Sequence, residues 1–301
     1  MKFNRIDLET KYSNKYLIFN GLINLEEIII SSNQLKIIDK SLFKNLTNLK
    51  KIILTSNQIK DLDKDTFQRL TKLTDLYIGN NNLKKIEKYL FKNLSSLESI
   101  GLDANQLEYI DKDQFNGLFK LNRIFMQTNK LKSIDKYLFN GLTKLEQISL
   151  WSNDLHHLDS QLFKGLSSLV KINLEDNKIN YLEKDIFNGL ENLNTIRLAS
   201  NNIKYIDKNI FKNLFNLNRI YLNNNLFDND RLELYLENNV KFICFNSHNG
   251  ENNIDQIIKP IFDQDNLYAK MYKNKYLELG FLANGSYGCV YLVENIFTKT
   301  K

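Results

Sequence analysis

The stretch LKKIILTSNQIKDLDKDTFQRLTK, residues 49–72, returns in outline along most of the chain, and the fold follows from how it is read. Its first leucine recurs as Leu25, Leu49, Leu73, Leu97, Leu121, Leu145, Leu169, Leu193 and Leu217, a strict spacing of 24. Three residues after each stands Ile or Leu, from Ile28 to Ile220, and eight after each stands an asparagine, from Asn33 to Asn225. A phenylalanine column runs in step from Phe19 to Phe211, every member followed by leucine three residues on. Self-similarity at a fixed period of this size is the signature of a repeat architecture. Within the unit, alternation at Ile52 and Leu54 predicts a short strand with one buried side. Asn57 then turns the chain, its amide able to bond backbone groups that a strand no longer satisfies. Leu62, Phe67 and Leu70 fill the return path. One unit cannot bury these side chains alone, so neighbours stack into a curved solenoid with a parallel sheet on its concave side.

These positions resemble the leucine-rich repeat, L-x-x-L-x-L-x-x-N-x-L, in its 24-residue form with the additional phenylalanine. The resemblance covers about three-quarters of the chain and implies an α/β repeat fold, a leucine-rich-repeat solenoid. Residues 1–24 form a degenerate first repeat or cap, with Phe3, Ile6 and Leu8 as its strand, and residues 25–227 carry the regular repeats. A short helix over 228–239 and a last strand over 240–245 are expected to close the array. Residues 246–267, asparagine-rich and holding the chain's one proline, Pro260, read as a linker.

Comparing the repeats with one another separates scaffold from surface. Side chains between the inward residues of each strand point out of the concave face. One such column reads Ile29, Ile53, Tyr77, Gly101, Phe125, Ser149, Asn173, Arg197, Tyr221, and the next runs from Ser31 to Asn223 through Trp151, the chain's one tryptophan. These positions drift while the core stays fixed. Aromatic residues and arginine are enriched at binding hot spots. The candidate partner-binding residues are therefore Tyr77, Arg123, Phe125, Trp151, Lys171, Arg197, Arg219 and Tyr221. Nine or ten strands at about 4.8 Å each would give a binding arc roughly 45 Å across.

Other columns carry no chemistry. Asp39, Asp63, Glu87, Asp111, Asp135, Asp159, Glu183 and Asp207 each follow a buried Ile or Leu of the outer turn, usually with lysine next, and read as turn-bonding or solvated acids. His156 and His157 lack a third ligand at useful spacing and read as exposed turn residues. No metal site is expected.

The chain ends on a second pattern, YLELGFLANGSYGCVYLVEN at 276–295. Gly280 and Gly285 have P-loop spacing, but Ser286 stands where that loop requires lysine. The segment resembles instead the glycine-rich loop of protein kinases, G-x-G-x-x-G-x-V, through Gly285, Ser286, Tyr287, Gly288 and Val290, with Leu282 before it and Ala283 in place of the first glycine. By that resemblance Leu282, Ala283, Gly285, Ser286, Tyr287, Gly288 and Val290 would cover a nucleotide, and residues 268–301 would be the start of a truncated kinase-like lobe, a β-hairpin fragment. The kinase lysine, catalytic Asp and metal-binding residues are not found in this sequence, so no enzyme activity is expected and ATP would become a cofactor only in a completed domain. The alternative is the N-terminal part of an active leucine-rich-repeat kinase whose catalytic residues lie beyond Lys301.

Composition sets the remaining bounds. A formal net charge of +6 over 301 residues is modest and interspersed with acids, which argues against nucleic acid as a partner, and the apolar runs are too short for a membrane-spanning helix. Cys244 and Cys289 form neither a disulfide framework nor a CxxC pair, and the polar first sixteen residues lack the pattern of a secretory leader, so a cytoplasmic location is expected. The sequence thus points to a signalling or scaffolding protein that binds another protein through its concave face.

Overall fold

A computed structural model of the chain describes residues 19–227 and the backbone of residues 242–244. Ten three-residue strands form one parallel sheet in chain order: β1 Glu27–Ile29, β2 Lys51–Ile53, β3 Asp75–Tyr77, β4 Ser99–Gly101, β5 Arg123–Phe125, β6 Gln147–Ser149, β7 Lys171–Asn173, β8 Thr195–Arg197, β9 Arg219–Tyr221 and β10 Phe242–Cys244. From β1 to β9 the register follows the sequence period without slippage, Glu27 pairing with Lys51 and Thr195 with Arg219. The last step is one residue shorter, since Arg219 pairs with Phe242.

The period dictates the core. The central strand residue, from Ile28 to Ile220, is 0% exposed in each of β1 to β9, and the leucine or its equivalent two residues on is buried beside it. On the return path Leu62, Phe67 and Leu70 are buried as their spacing requires. Each Phe-x-x-Leu pair closes a turn, with Leu70 N–H donating to the Phe67 carbonyl at 3.0 Å and Leu73 N–H donating to that of Leu70 at 3.0 Å. The return segments are such turns in succession, and no helix occurs among the described residues.

Curvature follows from two spacings. Parallel strands repeat at about 4.8 Å, whereas the stacked phenylalanine rings on the opposite side repeat at 5.9 to 6.5 Å, as in Phe43–Phe67 and Phe115–Phe139. A wider step on the outside bends the stack toward the strands, so the sheet lies on the inner side of the arc. Burying one such phenylalanine stabilises the array by roughly 1.5–3 kcal/mol.

The asparagine column is the polar counterpart of this core. Asn129, buried at 8% exposure, donates through Nδ2 to the carbonyls of Leu102 (3.0 Å), Met126 (3.1 Å) and Gln127 (3.3 Å), while its Oδ1 accepts from Leu107 N–H at 3.0 Å. The pattern recurs from Asn57 to Asn225. Each ladder asparagine follows a residue in the left-handed region, Ser32, Ser56, Asn80, Ala104, Thr128, Ser152, Asp176, Ser200 and Asn224, with φ between 49° and 59°. The amide bonds hold that turn in a conformation that side-chain-bearing residues otherwise avoid.

The N-terminal cap strand at Phe3, Ile6 and Leu8, the helix expected over 228–239, the linker and the hairpin over 268–301 lie outside the described residues.

Candidate partner-binding face

The open side of the sheet carries three side-chain columns: the first and third residue of each strand, and the residue two further on. All eight binding candidates fall on it. Arg123 and Arg219 are exposed, Trp151 is 39% exposed, and Tyr77, Phe125, Lys171, Arg197 and Tyr221 are half-buried against their neighbours. The face is uneven: Ser99, Ser149 and Ala199 are buried within it by adjacent side chains.

At the centre of β3 to β5 six positions make a grid, Tyr77, Gly101 and Phe125 above Gly79, Asp103 and Gln127, set by the strand register. Its glycines sit on one diagonal, and each lets a neighbour lie flat. A Cβ on Gly101 would meet Tyr77 Cδ1 at 2.7 Å and Asp103 Oδ1 at 3.3 Å, and a Cβ on Gly79 would meet Asp103 Oδ1 at 2.6 Å. Tyr77 is further held by its hydroxyl, 2.8 Å from Ser99 Oγ and 3.3 Å from Asp75 Oδ1. Burial pushes the Asp103 carboxyl above its ordinary value, only partly opposed by its own backbone N–H. No ion pair reaches Asp103 among the described residues.

Farther along, Arg197 forms a unit of its own. Its Nη1 lies 3.2 Å from Glu175 Oε2, and its guanidinium stacks over the Tyr221 ring at 4.3 Å. Its Nε is buried and bonds nothing. Arg123, Lys171 and Arg219 have no acidic partner among the described residues.

The remaining columns are structural. Asp39, Asp63, Asp111, Asp135, Asp159 and Asp207 each accept, through Oδ1, the backbone N–H two residues on at 2.8 to 2.9 Å. The two glutamates are too long for that turn: Glu87 pairs with Lys85 at 2.5 Å, and Glu183 accepts Ser160 N–H at 3.0 Å. His157 stacks on Tyr181 with centroids 4.8 Å apart and places Nε2 3.3 Å from Glu183 Oε1. Among the described residues no group of three metal-capable side chains occurs. The nucleotide candidates Leu282, Ala283, Gly285, Ser286, Tyr287, Gly288 and Val290 lie outside the described residues.

Sequence reading picked the aromatic and cationic members of this face but not the acceptors between them. Asp103 and Gln127 drift like any surface residue in the column comparison. What sets them apart is partial burial, with no ion pair to Asp103 and no bond to Gln127 Oε1, which spacing does not reveal.

Residues 108–233 match the family of BspA-type leucine-rich-repeat regions in six copies, and residues 18–59, 47–107 and 72–131 match the leucine-rich-repeat family. No curated protein matches the chain. Among solved structures, a chain of the Toll–Spatzle complex, a molecular hub in Drosophila development and innate immunity, is similar at a TM-score of 0.61 and 25% identity, over 80% of this chain and 38% of that one. The present chain thus spans well under half of that chain's length. In all, 468 solved chains match, so the likeness fixes an architecture and not a particular partner.

Proposed function

Because residues 18–233 are leucine-rich repeats, we propose that the protein is an interaction scaffold that binds another protein through the concave face of its sheet. One observation carries the reading: a backbone periodic from β1 to β9 displays an aperiodic set of half-exposed aromatics and unpaired cations on its open side, Tyr77, Phe125, Trp151 and Tyr221 among Arg123, Lys171 and Arg219. A core needs no such variety, whereas a recognition surface does. The similar chain of the Toll–Spatzle complex supports the reading, since it belongs to an assembly of two proteins. Extended concave surfaces are what solenoids offer. The proposed setting is the reducing cytoplasm, on the cysteine usage, and the work is binding rather than catalysis.

The test compares two double variants for co-purification with partners from the source cells. Phe125→Ser with Tyr221→Ser is expected to lose the partner, and the outer-surface control, Phe119→Ser with Tyr137→Ser, is expected to keep it; both control residues are more than half exposed. Retention by the first variant and loss by the second would place binding on the other side.

The glycine-rich segment at 283–290 favours a second reading, in which the repeats recruit a substrate or regulator to a kinase domain. ATP titration of the chain, followed by saturation-transfer NMR, tests it. The present sequence is expected to bind ATP weakly or not at all, since two strands without the rest of the lobe are marginal in water.

A further inference from the structure

The charges of the concave face are sorted along its length. Over β1 to β4 the three columns hold Glu27, Asp75 and Asp103 against one lysine, Lys51, which already pairs with Glu27 at 3.5 Å. Over β5 to β9 they hold Arg123, Lys171, Arg197 and Arg219 against one glutamate, Glu175, which already pairs with Arg197. The chain's overall charge is mixed, so this separation belongs to the face.

Unused hydrogen-bonding groups follow the same trend, with the change from acceptors to donors falling at β5. On the flank of β4, the last strand of the acidic half, the Asp103 carboxylate rests over Gly79 without an ion pair, and on the flank of β5, the first strand of the basic half, the buried Gln127 Oε1 bonds nothing. Both are acceptors. The other unused groups of the basic half are donors: the buried Arg197 Nε and the ammonium and guanidinium groups of Lys171, Arg123 and Arg219. Buried polar atoms left unpaired are costly, and a complementary partner group recovers that cost on binding.

We infer that the partner presents separated charges to this face, with a lysine or arginine seated on Asp103 and Gln127, on the strands bearing and adjoining Phe125, and acidic side chains over Lys171, Arg197 and Arg219. The inference rests on the concave-face reading above and adds polarity and spacing to it. A cation with several N–H donors satisfies both acceptors at once, and the rings of Tyr77 and Phe125, on the strands either side of β4, suit such a group. From β4 to β8 is four strand steps, about 19 Å, or about six residues of extended chain. A uniformly acidic ligand meets repulsion at Asp75 and Asp103.

Two synthetic 12-residue peptides of identical composition test it. One carries a lysine pair and a glutamate pair separated by six neutral residues; the other carries the same four charges alternating. Binding is measured by calorimetry at low salt with the whole chain, and occupancy of the face by emission of Trp151, the chain's one tryptophan, which lies on β6's flank in the basic half, between the strands of Arg123 and Lys171. The separated peptide is expected to bind at least tenfold more tightly than the alternating one, to shift Trp151 emission, and to lose most of that preference in Asp103→Asn, an isosteric change that leaves the fold intact. Equal affinities with a shifted Trp151 would overturn the polarity while leaving the concave-face reading standing. Binding that ignores both Asp103 and Trp151 would overturn both. Absence of binding at millimolar peptide, or equal binding of an all-glutamate 12-mer, would overturn the inference alone.

Discussion

Replacing Asn129 by alanine removes four hydrogen bonds, but their loss is unequal. The Leu102 carbonyl keeps Asn105 Nδ2 at 3.1 Å, and the Met126 carbonyl keeps Asn153 Nδ2 at 3.1 Å, because each such carbonyl is shared by two successive ladder members. Leu107 N–H has no substitute for Asn129 Oδ1 and is left unpaired in the interior. An orphaned buried donor costs about 1–3 kcal/mol, and each of the two shared bonds lost about 0.5–1.5 kcal/mol, so the variant should be destabilised by about 2–6 kcal/mol. Native-state hydrogen exchange localises the effect: the Leu107 amide should lose protection, while the Leu83 amide, held by Asn105 at 3.0 Å, should retain it. Sharing also predicts coupling. Asn105→Ala with Asn129→Ala strips both amides from the Leu102 carbonyl, to which no backbone N–H donates among the described residues. The double variant should therefore be worse than the sum of the singles by about 1 kcal/mol. A single-variant cost below about 1 kcal/mol, unchanged Leu107 protection or strict additivity would refute the ladder as a shared support.

Three further changes probe other layers. Phe139→Ala empties a ring that is 0% exposed and stacked between Phe115 and Phe163 at 6.5 and 6.4 Å; urea denaturation should show a loss of about 3–5 kcal/mol, and a loss near 1 would contradict the packing. Thr128→Asn relieves a β-branched residue at φ 56°, in the column where Asn80 and Asn224 already stand, and should raise stability by about 0.5–1 kcal/mol; an unchanged or lower melting temperature would count against strain there. Asp103→Asn addresses pH. Burial raises the folded carboxyl's pKa above the unfolded value of about 3.9, so between the two the folded state holds more protons and stability falls as pH rises. The advantage of the variant over wild type should therefore be absent at pH 3 and fully present at pH 7, and a melting difference that shrinks with rising pH would reverse the sign of the argument.

Much of this was legible in the sequence because the interior of a stacked repeat leaves no choice. Leu49, Ile52, Asn57, Phe67 and their equivalents face the same neighbours in every unit, so the period alone places them. The left-handed column escaped notice: Ser32, Ala104, Thr128 and Asp176 share no chemistry, because the asparagine beside each imposes the turn from outside. The α/β repeat solenoid is present with its parallel sheet, and among the described residues its return paths are successive turns. On the face, spacing found the columns but not the rotamers, so Tyr77 and Asp103 folding over Gly101 and Gly79 came only with coordinates. Arg197, picked as a partner-binding candidate, is partly engaged by Glu175 and Tyr221.

The most direct test of the central claim is site-specific photocrosslinking in the source cells. A benzophenone amino acid replaces Phe125 on the concave face or, separately, Phe119 on the outer surface at 59% exposure. The account predicts a discrete protein adduct from position 125 and none from position 119. Adducts from position 119 alone, or equally from both, would contradict recognition through the concave face.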